Sequence, residues 1–191
     1  RDLHSFPTRR SSDLNVRFDD ARRVIELLAG QIYVATAVDP RPFFVQSADG
    51  LARPLGTRFT VRQLDAGARV AVYQGAVELA PRQGGQRSVV PAGRQAVFTA
   101  RDVGTMMPAD QSALGWREGL LTVVDLPLAD FCAELARYRP GYLTCDPALG
   151  ALRVSGTYPL GDTDRALQAL ARAFPLRIHT LTRFWTRVEA R

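Results

Sequence analysis

Between Leu55 and Pro81 the chain alternates apolar and polar positions in three short runs. Phe59 and Val61 share one face of the first, with Thr60 and Arg62 on the other; Val70 and Val72 pair up in the second, Val77 and Leu79 in the third. A period of two marks half-buried strands. The breaks fall at Asp65-Ala66-Gly67-Ala68 and at Gln74-Gly75, where glycine admits the positive φ that a tight turn needs. The same texture begins at Arg23 and runs through VIELLAG, QIYVATAV and PFFVQSA. Gly67, Gly75, Gly84, Gly93 and Gly104 then punctuate at intervals of 8, 9, 9 and 11 residues. This predicts an all-β domain over residues 15–107, solenoid-like or sandwich-like, because periodicity does not separate the two. Asp39-Pro40-Arg41-Pro42 predicts a turn, since proline fixes φ and removes a ladder donor.

Around Met106 the alternation stops, and residues 108–119 read as a linker. From 120 to 191 strand and helix patterns alternate instead. LLTVVDL is a strand; Pro127 suits a first helical turn, and Leu128, Phe131, Cys132 and Leu135 then form one apolar stripe, stopped by Pro140-Gly141. YLTC and LRVSGTY are strands, Asp162 can cap a second helix, and Leu167, Leu170, Ala171 and Phe174 give its stripe ahead of Pro175. LRIHTL and FWTRVEA close the chain as strands. Leu135-Ala136-Arg137 with Pro140 is matched 35 residues later by Leu170-Ala171-Arg172 with Pro175. The match predicts two β-α-β units in a small α+β domain.

Composition changes this picture little. A hydrophobic share of 46% with 23% charge is that of a globular chain. All 25 basic residues are arginine, scattered rather than clustered, so the net charge of +6 reads as solvated surface before it reads as a phosphate-binding patch. No apolar run reaches the roughly 18 residues of a membrane span. Residues 1–14, RDLHSFPTRRSSDL, lack any amphipathic pattern and look like a translated sequencing adapter. They are set aside as foreign, which places the natural N-terminus outside this sequence.

Chemistry-bearing constellations are sparse. His179 sits in a predicted strand with no Ser or Cys partner in view, and reads as a core or edge residue. Outside residues 1–14, one histidine and two separated cysteines make no metal site, and GxxxxGK[ST] is absent. Asp162 and Asp164 are explained by helix capping. Cys132 and Cys145 are expected as two unbridged thiols, with a helix-to-strand bridge as the alternative. No cofactor is expected.

Gly56-Thr57-Arg58-Phe59, followed by V-x-V-Y-x-G-x-V from Val70 to Val77 and preceded by Arg41-Pro42-Phe43, resembles the FecR family. These are transmembrane regulators that carry a signal from an outer-membrane TonB-dependent receptor to an ECF sigma factor. The resemblance covers Asn15 to Arg191, and 120–191 is similar to the STN signalling domain of secretins and TonB-dependent transducers. It implies the periplasmic part of a single-pass inner-membrane protein, whose membrane helix and sigma-binding cytoplasmic domain would precede Asn15. The partners implied are the receptor's signalling domain and the sigma factor, with no nucleic acid, and the input is an iron-siderophore signal. A polyanion- or glycan-binding β module of the cell envelope is the rival reading. Several members cut themselves at a Gly-Thr bond through an N-to-O acyl shift, and Gly56-Thr57 matches that dipeptide; otherwise Gly56 turns the chain into the Phe59 strand. No other enzymatic activity is expected. Docking is assigned to Arg183, Phe184, Trp185, Arg187 and Val188 on the closing strand, taken as a sheet edge; the alternative packs Trp185 on the helix stripes.

Overall fold

The computed structural model describes residues 12–182 and 184–191. The chain divides into two compact units, Ser11–Gln111 and Ser112–Arg191. Strand dominates, with two α-helices among the described residues.

The first unit holds β1 (Asp13–Phe18), β2 (Arg23–Ala29), β3 (Gln31–Ala35), β4 (Phe43–Gln46), β5 (Gly50–Pro54), β6 (Arg58–Leu64), β7 (Gly67–Gln74), β8 (Ala76–Pro81), β9 (Ser88–Pro91), β10 (Arg94–Phe98) and β11 (Met107–Pro108). They form a six-stranded sheet in the order β1-β2-β4-β5-β8-β9 and a five-stranded sheet in the order β11-β10-β7-β6-β3. Both sheets feed one buried cluster. Leu27, Val45, Val77 and Leu79 enter it from the first sheet, and Phe59, Val61, Val70, Val72 and Phe98 from the second. Of the two expected architectures, two sheets facing one core is the sandwich-like one.

Alternation places Phe59, Val61, Val70, Val72, Val77 and Leu79 inward, as their spacing predicts. It misplaces Thr60, which is buried as well. β6 lies between β7 and β3, so Thr60 sits between Ala71 and Tyr33, with Tyr73 two residues beyond Ala71 on the same face of β7. Tyrosines thus cover the outer face that the pattern assigns to water. The segment set aside as foreign also enters the fold. Its residues 1–11 lie outside the described residues, but Asp13 and Leu14 begin β1, and Leu14 packs on the core. Ordered strand therefore starts ahead of Asn15.

The expected turn at residues 39–42 forms around one carboxylate. Asp39 Oδ1 accepts the Arg41 backbone N–H at 2.8 Å, and Oδ2 accepts Arg41 Nη2 at 2.8 Å. Arg23 reaches in from β2, with Nη1 3.5 Å from Asp39 and Nη2 donating to the Arg41 carbonyl at 3.0 Å. The Arg41 side chain first, then its N–H, and then the Arg23 charge hold the Asp39 carboxyl well below the ordinary carboxylate range. A depressed folded pKa stabilises the fold above the unfolded value of about 3.9 and loses that contribution as pH falls toward the folded one. Asp39→Asn is expected to lower the melting temperature at pH 7. The gap to wild type should narrow below about pH 4. A gap equally wide at pH 7 and pH 3 would show that the carboxylate charge is not what holds the turn.

The second unit opens with a 3-10 segment, Ser112–Glu118, whose Trp116 packs on its core. Since β11 takes Met107 and Pro108 into the first unit, the expected 108–119 linker shrinks to the residues between. There follow β12 (Leu120–Pro127), α1 (Leu128–Ala136), β13 (Tyr142–Cys145), β14 (Arg153–Pro159), α2 (Thr163–Ala173), β15 (Leu176–Thr182) and β16 (Trp185–Ala190). Leu128, Phe131, Cys132 and Leu135 are all buried, as their stripe predicts. On α2 the buried set is Ala166, Leu167 and Leu170, shifted because Phe174 is already extended. Asp162 caps α2, its Oδ1 accepting the Arg165 N–H at 2.9 Å.

The strand-helix-strand order expected here is present, but each pair of strands separates between two sheets. β12 pairs with β14, whereas β13 and β15 flank β16. Thr122 faces Thr157, 35 positions on, with their hydroxyls 3.1 Å apart. That pair marks a local two-fold axis relating β12-α1-β13 to β14-α2-β15. β13 runs parallel to β16 and β15 antiparallel, as the axis requires, and β16 fills the space between them. Both helices touch both sheets and close one core.

Candidate functional site

Two places carry the residues singled out by sequence. The first is the connection from β5 to β6. Leu55 still bonds across to β8, its N–H donating to the Ala76 carbonyl at 2.9 Å. Gly56 then takes φ +79°, in the left-handed region, and Thr57 leads into β6. An added Cβ at Gly56 meets nothing within 4 Å, so the backbone angle alone demands glycine there.

Thr57 is buried, at 3% exposure. Its N–H donates to Thr36 Oγ1 at 2.8 Å. Its carbonyl accepts the Thr36 N–H at 3.0 Å and the Thr36 hydroxyl at 3.2 Å. Its own Oγ1 is buried without a hydrogen-bond partner. Buried hydroxyls are nearly always paired, so an orphan one calls for a cause.

Gly75, at φ +75°, closes the site from the β7–β8 turn. A Cβ there would stand 2.3 Å from the Gly56 carbonyl oxygen and 2.9 Å from Thr57 Cγ2. Three segments thus converge on one peptide bond. Sequence pointed to Gly56 and Thr57 but not to Thr36 or to the role of Gly75, because both approach through sheet pairing.

The second place is the closing strand. The edge expectation is corrected: β16 is the central strand of its sheet, held by β13 on one side and β15 on the other. Val188 is fully buried and belongs to the core. Arg187 lies 3.5 Å from both Asp146 and Glu189. Arg183 lies outside the described residues. Phe184 and Trp185 are half-exposed, and Trp185 is not part of the buried cluster on the helices. Register brings Tyr142 opposite Trp185, and Leu181 is exposed nearby on β15, so four large apolar side chains crowd one end of this sheet. Tyr142 and Leu181 escaped the sequence reading because only the pairing of β13 and β15 with β16 brings them there.

His179 is exposed on β15, its Nδ1 3.9 Å from Glu189. Cys132 and Cys145 are free thiols; burial and the neighbouring Cys145 sulfur push the Cys132 thiol up to about 12. Among the described residues no helix is long and apolar enough to cross a membrane.

Residues 8–78 match the FecR protein family. Two crystal structures of a "putative anti-sigma factor" from Parabacteroides distasonis ATCC 8503 share the fold. One aligns at TM-score 0.69 and 19% identity, over 92% of this chain and 83% of that one. The other aligns at 0.68 and 20%, over 92% and 82%. No curated protein matches the sequence.

Proposed function

We propose that this chain, whose residues 8–78 match the FecR family, is the envelope-side portion of a sigma-factor regulator. In this reading it receives an iron-siderophore uptake signal from a TonB-dependent outer-membrane receptor and passes it toward an ECF sigma factor. It works in the periplasm, with a membrane helix and a sigma-binding domain lying beyond this sequence. The family match on the first unit is the observation that carries the reading, and a fold shared over most of the chain with a protein described as an anti-sigma factor supports it. The second unit is the STN-like, receptor-facing module. Docking uses the exposed end of its three-stranded sheet, where Tyr142, Leu181, Phe184 and Trp185 offer aromatic and aliphatic anchors, with the open edges of β13 and β15 beside them for strand addition.

Titration of the chain with the N-terminal signalling domain of its cognate TonB-dependent receptor tests this. Trp185→Ala should weaken binding by about tenfold or more, as interface aromatics do, and Arg187→Glu should weaken it less. Circular dichroism checks that both variants fold. Binding unchanged in the folded variants would move the interface off this patch. A steep loss of affinity with salt for a polyanion, and none for the receptor domain, would favour the rival reading.

The same reading includes a single-turnover reaction at Gly56-Thr57. Thr57 Oγ1 attacks the Gly56 carbonyl carbon through a five-membered ring. The new C–O bond forms, the C–N bond breaks, and the hydroxyl proton passes to the nitrogen. The ester so formed takes up water, leaving a Gly56 carboxylate and restoring the Thr57 hydroxyl. An orphan, buried Oγ1 next to a glycine at positive φ is the arrangement that motivates it.

A further inference from the structure

We propose that Thr36 is the positioning residue for this rearrangement, an inference that rests on the self-cleavage reading above. The β3–β6 ladder pairs Ala35 with Arg58, so Thr36 and Thr57 would be the next pair. An antiparallel pair of this kind exchanges two backbone bonds. One is made, from the Thr36 N–H to the Thr57 carbonyl at 3.0 Å. In the other, the Thr57 N–H turns to the Thr36 hydroxyl at 2.8 Å instead of its carbonyl. The ladder therefore departs from regularity at the peptide bond in question.

This substitution fixes what the reaction needs fixed. The nitrogen to be released is the one bonded to Thr36 Oγ1, and the same hydroxyl donates to the Thr57 carbonyl at 3.2 Å. Thr57 is thus held on both sides of its Cα by a single residue 21 positions away. The polar atom of Thr57 left uncommitted is Oγ1, the nucleophile. A side chain at position 36 that bonded Oγ1 would withdraw it from attack; this one occupies the backbone and leaves Oγ1 unpaired. When the C–N bond breaks, the nitrogen becomes an amine, and one of its hydrogens already points at Thr36. Holding reacting atoms in attack geometry is a large lever, because a displacement of about 1 Å costs on the order of a hundredfold in rate.

The test follows cleavage of the full chain, purified with protease inhibitors, on denaturing gels and by intact mass, with and without hydroxylamine, which attacks esters. Thr36→Val keeps the shape and removes the hydroxyl. It should cut at least about tenfold more slowly while still folded by circular dichroism, with a lower melting temperature because the Thr57 N–H loses its partner, and hydroxylamine should not restore cutting, since the ester does not form. Thr36→Ser should recover a rate close to wild type. Should Thr36→Val fail to fold, Thr36→Cys replaces it, its thiol being a weak acceptor, and the same slowing is expected. A folded Val or Cys variant that cuts at the wild-type rate, or one that hydroxylamine rescues, overturns the role given to Thr36 while leaving self-cleavage standing. Wild type that stays whole with and without hydroxylamine overturns self-cleavage, and this inference with it.

Discussion

Thr57→Ala is expected to give a single band on a denaturing gel where wild type gives two, ending at Gly56 and beginning at Thr57. The alanine removes the only hydroxyl placed to attack the preceding carbonyl in a five-membered ring, so the effect is all-or-none rather than a slowing. Thr57→Ser keeps the hydroxyl and should keep cutting. Because Thr57 Oγ1 has no hydrogen-bond partner to lose, the stability cost should be confined to the buried Cγ2 methyl, about 1 kcal/mol. A truncation that abolishes a reaction yet costs little stability separates chemistry from architecture. If wild type remains uncut for days in the absence of proteases, Gly56 is a turn residue and nothing more.

Gly75→Ala should be among the most damaging small substitutions in the first unit. Alanine at φ +75° costs roughly 1–2 kcal/mol from backbone sterics alone. Here its methyl would also stand 2.3 Å from the Gly56 carbonyl oxygen, a backbone atom that cannot step aside without moving two strands. The sum should reach about 3 kcal/mol or more. Gly56→Ala and Gly84→Ala are the internal controls, since each shares the positive φ and meets nothing within 4 Å. They should lose only the first part. Urea midpoints measure the three together, and equal losses would show that the contact with Gly56 carries no weight.

Much of this architecture is readable from local pattern. The inward faces at Phe59, Val70 and Leu79 follow from a period of two, and the stripe from Leu128 to Leu135 from a period near 3.6. Both are properties of short segments, and short segments are what a sequence displays. What escaped depends on partners distant along the chain. β16 closes the chain and so reads as an edge, but two strands from the separate halves of the local two-fold enclose it. Thr60 reads as solvent-facing until Tyr33 and Tyr73 are seen to cover it. At the candidate site the dipeptide was legible and its surroundings were not. Thr36, just past β3, and Gly75, in the β7–β8 turn, lie 21 and 18 residues from Thr57 along the chain, and only register brings them to the Gly56–Thr57 bond.

The weave of the first unit has a mechanical consequence. Gly56–Thr57 sits between β5 and β6, yet β3 pairs with β6 over five residue pairs and β5 pairs with β8 over another five. Strands from before the bond are therefore laced into both sheets with strands from after it. Severing the chain at this point would leave two fragments still sewn together along two seams. A tug on one fragment would no longer run through a covalent backbone; it would load those two ladders, whose hydrogen bonds are each worth only about 1 kcal/mol net in water, and the apolar side chains that the two fragments share in one core. One broken bond would turn a rope into a seam.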